Sequence, residues 1–470
     1  LSSGRRVLDD AGMNDRAIPS EAATVSRRRL LAGALGGAAA TTLPLATAGG
    51  AAAQQPSTPA PAPPADATRF FADPALNFQT LLALGAAGYG ASELGEVLTV
   101  VNRVHERGDT YLAYFEEYAR EGRRLRERAD AARRRGHLVS ARAAYLRAAC
   151  YLNQALYFTL ASSRPTRAHE AQVYREMEGA FARAAALFRP AWRPVRIPYG
   201  RTTLPGWFLK APGADMRRPT VILTNGSDGQ NIDMVVQGGA AALERGWNAL
   251  IYEGPGQGAN LFLRDMPFRP DWEKVVTPVV DFLRARPDVD RRRIVLAGVS
   301  FAGYLVPRAA AFEHRLAAVV ADGGVTDAFV SWSNELPRDL LELLYAGRKA
   351  EFDGYWAEAS RELPEKVRFD VAKRAEIYGR GTFFDQMTLA SRFRLSPSVA
   401  RRIRTPTAVL DAELEQFFPG QPRTLYDWLR AKPKALLRFT IAEGAQWHCE
   451  PMAPQVRNER VYDWLESNVR

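Results

Sequence analysis

Two textures of hydrophobic patterning divide the chain of 470 residues. Between about Thr68 and Arg189, apolar positions recur at helical spacing. Tyr111, Tyr114, Phe115 and Tyr118 form one stripe; Ala144, Leu146, Cys150 and Leu152, then Ala155, Leu156 and Phe158, form another. Pro is scarce between Pro74 and Pro165, and Gly136 reads as a break between two helices. The pattern predicts a helical domain over 67–190 with about four helices. The aromatic stripe is read as core between helices in preference to pocket lining.

From about Val195 the period changes. Short β-rich runs alternate with helical ones. Val195 to Pro198 and Gly206 to Leu209 predict a hairpin. Runs at Thr220–Thr224, Asn248–Tyr252, Ile294–Ala297, Ala317–Ala321, Thr407–Leu410 and Ala435–Phe439 follow, with helical stretches such as Asp271–Arg286 and Gly303–Phe312 between them. Strands alternating with helices predict an α/β domain over 191–470, its mostly parallel sheet covered on both faces. A helical, aromatic stretch over about 325–400 interrupts the alternation, with Phe329, Trp332, Tyr345, Phe352, Tyr355, Trp356, Phe383 and Phe384. It is expected to form a cap over the carboxyl ends of the strands, where such sheets bind ligands.

The first residues follow neither pattern. Ser26-Arg27-Arg28-Arg29 opens a short apolar stretch rich in Gly and Ala, ending at Ala51-Ala52-Ala53. Charged region, apolar region and small-residue site are the parts of an export signal. The paired arginines resemble a twin-arginine signal over 1–53, with Met13 as a candidate start, cleavage near Ala53 and a periplasmic or secreted product. Residues 54–66 are a Pro/Ala-rich linker. No stable membrane insertion is expected after signal cleavage, because no later stretch has 18 consecutive apolar residues.

Hydrophobic residues at 47% and charged residues at 24% exclude disorder of the whole chain. The net charge of +11 rests on 56 arginines against seven lysines, an imbalance typical of GC-rich coding. Its densest run, Arg123 to Arg135, is broken by Glu127 and Asp130 and reads as a solvated helix face, so no nucleic-acid partner is expected. Two cysteines, Cys150 and Cys449, give no framework, although one bridge between them is open to an exported protein. The five histidines lie far apart and form no zinc spacing, so no metal and no cofactor is expected.

The chemistry concentrates in Ile294-Val295-Leu296-Ala297-Gly298-Val299-Ser300-Phe301-Ala302-Gly303. An apolar strand runs through Gly-x-Ser into a helix, the turn from which a nucleophilic serine projects. Ala302 stands where the usual pattern has its last Gly. Serine needs a base beside it, and in this architecture the order is Ser, acid, His. Beyond Ser300 only His314 and His448 remain. His314 is too close in sequence to reach back over the strand ends, so His448, after the last predicted strand, is the candidate base.

The acid is sought after the preceding strand, among Asp411, Glu413 and Glu415. Asp411 is expected still to lie within the strand. Glu415, at the loop tip, is the candidate acid, with Asp411 in reserve. Backbone N–H groups for an oxyanion are expected from Phe301, after the nucleophile, and from the loop Asn225-Gly226-Ser227-Asp228-Gly229-Gln230, at Gly226 or Ser227.

With these residues in place, the region from about 70 to 470 resembles the α/β-hydrolase superfamily. It looks most like the branch with an N-terminal helical domain that includes 2,6-dihydroxypseudooxynicotine hydrolase, fungal polyketide-shortening pigment hydrolases and proteins labelled dipeptidyl aminopeptidase-like. The matching runs are Asn225-Gly226-Ser227-Asp228-Gly229, Tyr252-Glu253-Gly254-Pro255-Gly256-Gln257-Gly258, Asp271-Trp272-Glu273, Arg286-Pro287-Asp288-Val289-Asp290, the turn at Ser300, Phe417-Phe418-Pro419-Gly420-Gln421, and His448. The chain departs from the family at Ala302, and at Glu415, where Asp is commoner. The resemblance implies hydrolysis of an acyl bond in a small-molecule substrate, either an ester or a carbon–carbon bond beside a ketone. Peptidase action, acyl transfer by the same serine, and a non-catalytic binding protein on this scaffold are the competing readings, and a homo-oligomer is compatible with each.

Overall fold

The computed structural model describes residues 67–213 and 216–469. The expected signal over 1–53 and the linker over 54–66 lie outside the described residues.

Among the described residues five α-helices precede the first strand: α1 Pro74–Gly85, α2 Leu94–His105, α3 Tyr111–Arg134, α4 Leu138–Tyr157 and α5 Arg167–Ala185. Local chemistry sets their starts. Asp73 accepts from the N–H groups of Ala75 and Leu76, with Pro74 opening α1. Thr110 and Thr166 cap α3 and α5 in the same way. Gly136, at φ 79°, makes the turn between α3 and α4. Those two helices cross closely because Gly122 has no side chain: a Cβ there would lie 2.7 Å from Leu152 Cγ. Tyr114 and Tyr118 are fully buried and Phe115 nearly so, so the aromatic stripe is helix–helix core. Between Arg123 and Arg135 the charged side chains lie on the outer side of α3 while Leu125 and Ala129 are buried, and Arg123 and Arg124 reach Glu176 and Glu121.

The sheet has eight strands: β1 Arg193–Tyr199, β2 Thr202–Leu209, β3 Arg218–Thr224, β4 Asn248–Tyr252, β5 Val289–Gly298, β6 Ala318–Asp322, β7 Thr407–Ala412 and β8 Lys434–Phe439. Their spatial order is β1-β2-β4-β3-β5-β6-β7-β8. The β1–β2 hairpin and the β2–β4 pair are antiparallel, and β4, β3, β5, β6, β7 and β8 run parallel. The buried strands β4 and β6 are continuously apolar or neutral apart from the terminal Asp322, as a doubly covered parallel sheet requires. The strand order reverses around β3, so the loops after β3 and β5 diverge and leave a crevice at the carboxyl edge.

Between β6 and β7 the chain makes a helical excursion through Arg338–Tyr345, Lys349–Ala359, Glu365–Ala375 and Phe383–Ala390. It packs back on the first helices. Phe369 stacks on Phe158 with ring centres 5.7 Å apart, Lys366 pairs with Asp73 at 2.6 Å, and the Tyr111 hydroxyl donates to Asp370 at 3.3 Å. Cys150 and Cys449 are both free and buried, so the bridge open to them is not formed.

The helix Pro454–Asn468 closes the molecule and carries a fully buried arginine. Arg457 Nε donates to Asp322 at 2.7 Å, and Nη1 donates to the Gln237 carbonyl and to Asn458 Oδ1, both at 2.8 Å. Removing one partner of a buried pair leaves the other charge uncompensated, at a cost of about 3–5 kcal/mol. Arg457→Met is therefore expected to destabilise the fold by that amount in chemical denaturation; a loss below about 1 kcal/mol contradicts the assigned role.

Candidate functional site

Ser300 lies two residues past the end of β5 and has φ 59°, a left-handed conformation rare for residues other than Gly, Asn and Asp. Small neighbours make room for the turn. A Cβ on Gly303 would lie 2.7 Å from the Asp322 carbonyl oxygen and 2.9 Å from Gly324 N, so glycine is required there. Ala302 fits where the usual pattern has glycine because Gly298 yields the space: a Cβ on Gly298 would sit 2.8 Å from Ala302 Cβ. Phe301, after the serine, is buried and begins the helix Ala302–Ala310, whose amino end points at the turn.

The loop after β3 lies against this serine. A Cβ on Gly226 would be 2.8 Å from Ser300 Cβ and 3.2 Å from its Oγ, so only glycine allows the approach. The loop is clamped from both sides. Gly226 N–H donates to Asn225 Oδ1 at 2.8 Å, and Gln257 Nε2 donates to the Asn225 carbonyl at 2.6 Å. Gln257 Oε1 in turn accepts from Gly254 N–H at 2.9 Å. Of the two loop positions expected to face an oxyanion, Gly226 thus has its N–H engaged. The N–H groups of Ser227 and Phe301 have no acceptor among the described residues.

His448 is buried, and its Nδ1 lies 2.7 Å from Glu415 Oε2. The register of two loops brings them together: Leu414 pairs with Trp447 in an isolated bridge, one residue before each. Glu415 Oε1 accepts from the N–H groups of Phe417 and Phe418 at 2.9 and 3.1 Å, and His448 N–H donates to Gln416 at 3.1 Å. The other two carboxylates serve the sheet end. Asp411 lies inside β7 and meets Arg438 on β8 at 2.8 Å, and Glu413 accepts from Ile441 N–H at 2.9 Å. His314 is exposed after the helix Ala302–Ala310.

Burial pushes the Glu415 carboxyl up, but His448 and the two backbone N–H groups outweigh it, and the net shift is downward. For His448 burial is the largest single influence and pushes down, but the charge and hydrogen bond of Glu415, with Asp322 and Asp228, together outweigh it, and the net shift is upward. With Nδ1 on the carboxylate, Nε2 is the free ring nitrogen, and it is buried without a partner. The ring faces the serine turn: a Cβ on Gly323 would lie 3.3 Å from His448 Cε1 and 3.7 Å from the Ser300 carbonyl oxygen.

Ser300, His448, Gly226 and Ser227 line one cavity with an empty volume of about 820 Å³, its open mouth included. Its opposite wall comes from α1, through Phe78, Gln79 and Leu82, and from α4, through Asn153, Gln154 and Tyr157. The excursion over about 325–400, expected above the strand ends, contributes no lining residue. It packs beside the serine turn at the carboxyl end of β5, with Phe393 5.0 Å from Phe301. Sequence patterning missed this wall because its residues lie on otherwise ordinary amphipathic helices. It also missed the Gln257 clamp, for which the Gly-Pro-Gly-Gln-Gly run was the available signal.

The sequence profile described as the alpha/beta hydrolase family matches residues 221–464. Hydrolase acrC of Aspergillus aculeatus is 31% identical over 85% of this chain and 97% of its own. The 20-hydroxy-prefusarin hydrolase FUS2 of Gibberella moniliformis is 27% identical over 85% and 97%. The crystal structure of 2,6-dihydroxy-pseudo-oxynicotine hydrolase superposes with a TM-score of 0.61 at 19% identity, covering 82% of this chain and 95% of that one. A profile match over more than half of the chain, and a relative at this identity along nearly its whole length, place the sheet, the serine turn and the helices before them in one lineage: the chain belongs to the alpha/beta hydrolase family.

Proposed function

We propose that this hydrolase cleaves an acyl bond, an ester or a carbon–carbon bond beside a ketone, through an acyl-enzyme on Ser300. The observation that carries the reading is the single cavity onto which Ser300 and His448 both open, with Glu415 2.7 Å behind the imidazole. In this mechanism His448 Nε2 takes the Ser300 hydroxyl proton as Oγ attacks the carbonyl carbon. Glu415 stabilises the imidazolium so formed. The N–H groups of Phe301 and Ser227 receive the oxyanion, with the Ala302–Ala310 helix end adding positive potential. The proton on Nε2 then passes to the leaving alcohol or to the carbanion carbon of the departing ketone, and water repeats the sequence to release the acid.

The substrate class follows from the lining. Among the described residues no Lys or Arg lines the cavity, two carboxyl groups do, Asp228 and Asp233, and Phe78, Leu82, Tyr157, Met234 and Val236 supply apolar surface, so a neutral molecule fits better than a carboxylate. The hydrolase names of the relatives, one specified for 20-hydroxy-prefusarin, accord with a small-molecule substrate.

On purified protein, a panel of aryl esters and β-diketones is expected to yield turnover. Ser300→Ala is expected to lower kcat by about a million-fold with the fold intact. Near-normal turnover in that variant refutes the serine mechanism.

Glu415→Gln is expected to cost about 10⁴ in kcat, by analogy with removal of a serine-protease acid, and Asp411→Asn far less. Because the base must be neutral, kcat/KM in the unsubstituted enzyme should rise with pH through an inflection above the ordinary histidine value of about 6.5. Glu415→Gln should move that inflection down. The reverse ranking of the two variants transfers the role to Asp411.

The export reading belongs to the same proposal. Replacing Arg27 and Arg28 together by Lys is expected to abolish periplasmic activity; unchanged periplasmic activity refutes the twin-arginine route.

A further inference from the structure

Gln237 occupies a backbone irregularity that the rest of the fold works to hold. The helical stretch after β3 passes through a single π turn, Val235–Gly239, between the short helices Asn231–Met234 and Ala240–Glu244. Gln237 has φ −81° and ψ 18°, and Gly238 has φ 148°. Such turns leave carbonyls without helical partners and recur at functional sites. Here the closing helix Pro454–Asn468 meets three carbonyls in a row. Asn458 Nδ2 donates to Val236 O at 2.9 Å, Arg457 Nη1 to Gln237 O at 2.8 Å, and the Tyr462 hydroxyl to Gly238 O at 2.8 Å. Glycine is favoured at 238 by its φ, and a Cβ there would sit a tight 3.1 Å from Leu223 Cδ2.

The turn delivers the Gln237 side chain, 6% exposed, to the wall of the cavity that holds Ser300 and His448. Its Nε2 donates to the Cys449 carbonyl at 3.2 Å, beside the histidine. A carbonyl can only accept, so the amide orientation is fixed and Oε1 is the free end. That oxygen is buried and has no partner among the described residues. Anchoring the histidine loop accounts for Nε2. It does not account for an acceptor buried without a donor, which natural proteins seldom leave.

Resting on the serine-hydrolase reading above, we infer that Gln237 Oε1 accepts a hydrogen bond from a hydroxyl group of the substrate and selects hydroxylated acyl compounds over their unsubstituted analogues. A site built around an unpaired acceptor discriminates against the analogue lacking the donor, because binding that analogue leaves the acceptor buried and unpaired.

The test uses 4-nitrophenyl alkylphosphonate diesters, with and without one hydroxyl at successive carbons of either alkyl chain. Ser300 Oγ attacks phosphorus, its proton passes to His448, the bond to the aryloxy group breaks, and released 4-nitrophenolate reports the rate. In the unsubstituted enzyme at least one hydroxylated probe is expected to react about tenfold faster than its parent, the size of one added hydrogen bond. In Gln237→Met that ratio is expected to fall to about one, whatever happens to the parent rate. A ratio near one for every probe in the unsubstituted enzyme overturns the inference alone and leaves the hydrolase reading standing, with no need of the variant. So does a ratio that survives in Gln237→Met. Failure of every probe to react at Ser300 overturns the hydrolase reading and the inference with it.

Discussion

A serine held at φ 59° at the end of a central parallel strand is the constraint on which the rest of the site depends. Such a backbone costs on the order of 1–3 kcal/mol and persists only where its surroundings over-determine it. Gly298 and Gly303 supply the space on either side, and Ala302 is tolerated because Gly298 has no Cβ. The reversal of strand order around β3 then brings a second loop to the same point, and Gly226 lets that loop come within 3.2 Å of Ser300 Oγ, measured from where a side chain would begin. The Gly-Pro-Gly-Gln-Gly segment after β4 finds its meaning here. Through Gln257 it locks the approach of that loop.

The helices before the sheet are more than an appendage. Phe78 of α1 lies 6.4 Å from the His448 ring and 5.6 Å from Phe417, which itself packs edge-on against the histidine. Those rings flank an imidazole whose hydrogen-bond partner among the described residues is a buried carboxylate. Low local dielectric strengthens that ion pair once it forms. The same helices wall the cavity, so in the proposed mechanism substrate selection falls to α1, α4 and the π turn at Gln237, while the sheet end supplies the reactive groups.

Much of this was legible in the sequence. Alternating short apolar runs marked the eight strands to within a few residues, and Gly136 marked the α3–α4 turn. Ser300 and His448 stood out because one lies on a strand-to-helix turn and the other is the sole eligible histidine. Glu415 could be separated from Asp411 by strand periodicity, and the structure has Asp411 paired across β7 and β8 with Arg438. What could not be read arises from tertiary contacts. The wall formed by Gln79, Asn153 and Gln154 carries no motif. The π turn exists because Arg457, Asn458 and Tyr462, more than two hundred residues away, accept the task of bonding its carbonyls. The excursion after β6, expected over the strand ends, meets the first helices through Phe369 and the turn after β5 through Phe393 beside Phe301, contacts that no sequence pattern announced.

The central claim is that Ser300 is the nucleophile and His448 its base. The most direct measurement is peptide mapping by mass spectrometry after brief reaction with a fluorophosphonate. The account predicts one adduct, on the peptide that contains Ser300, formed by the unsubstituted enzyme and by Asp411→Asn but not by His448→Ala. An adduct on another serine, or labelling of Ser300 that proceeds equally well without His448, would contradict it.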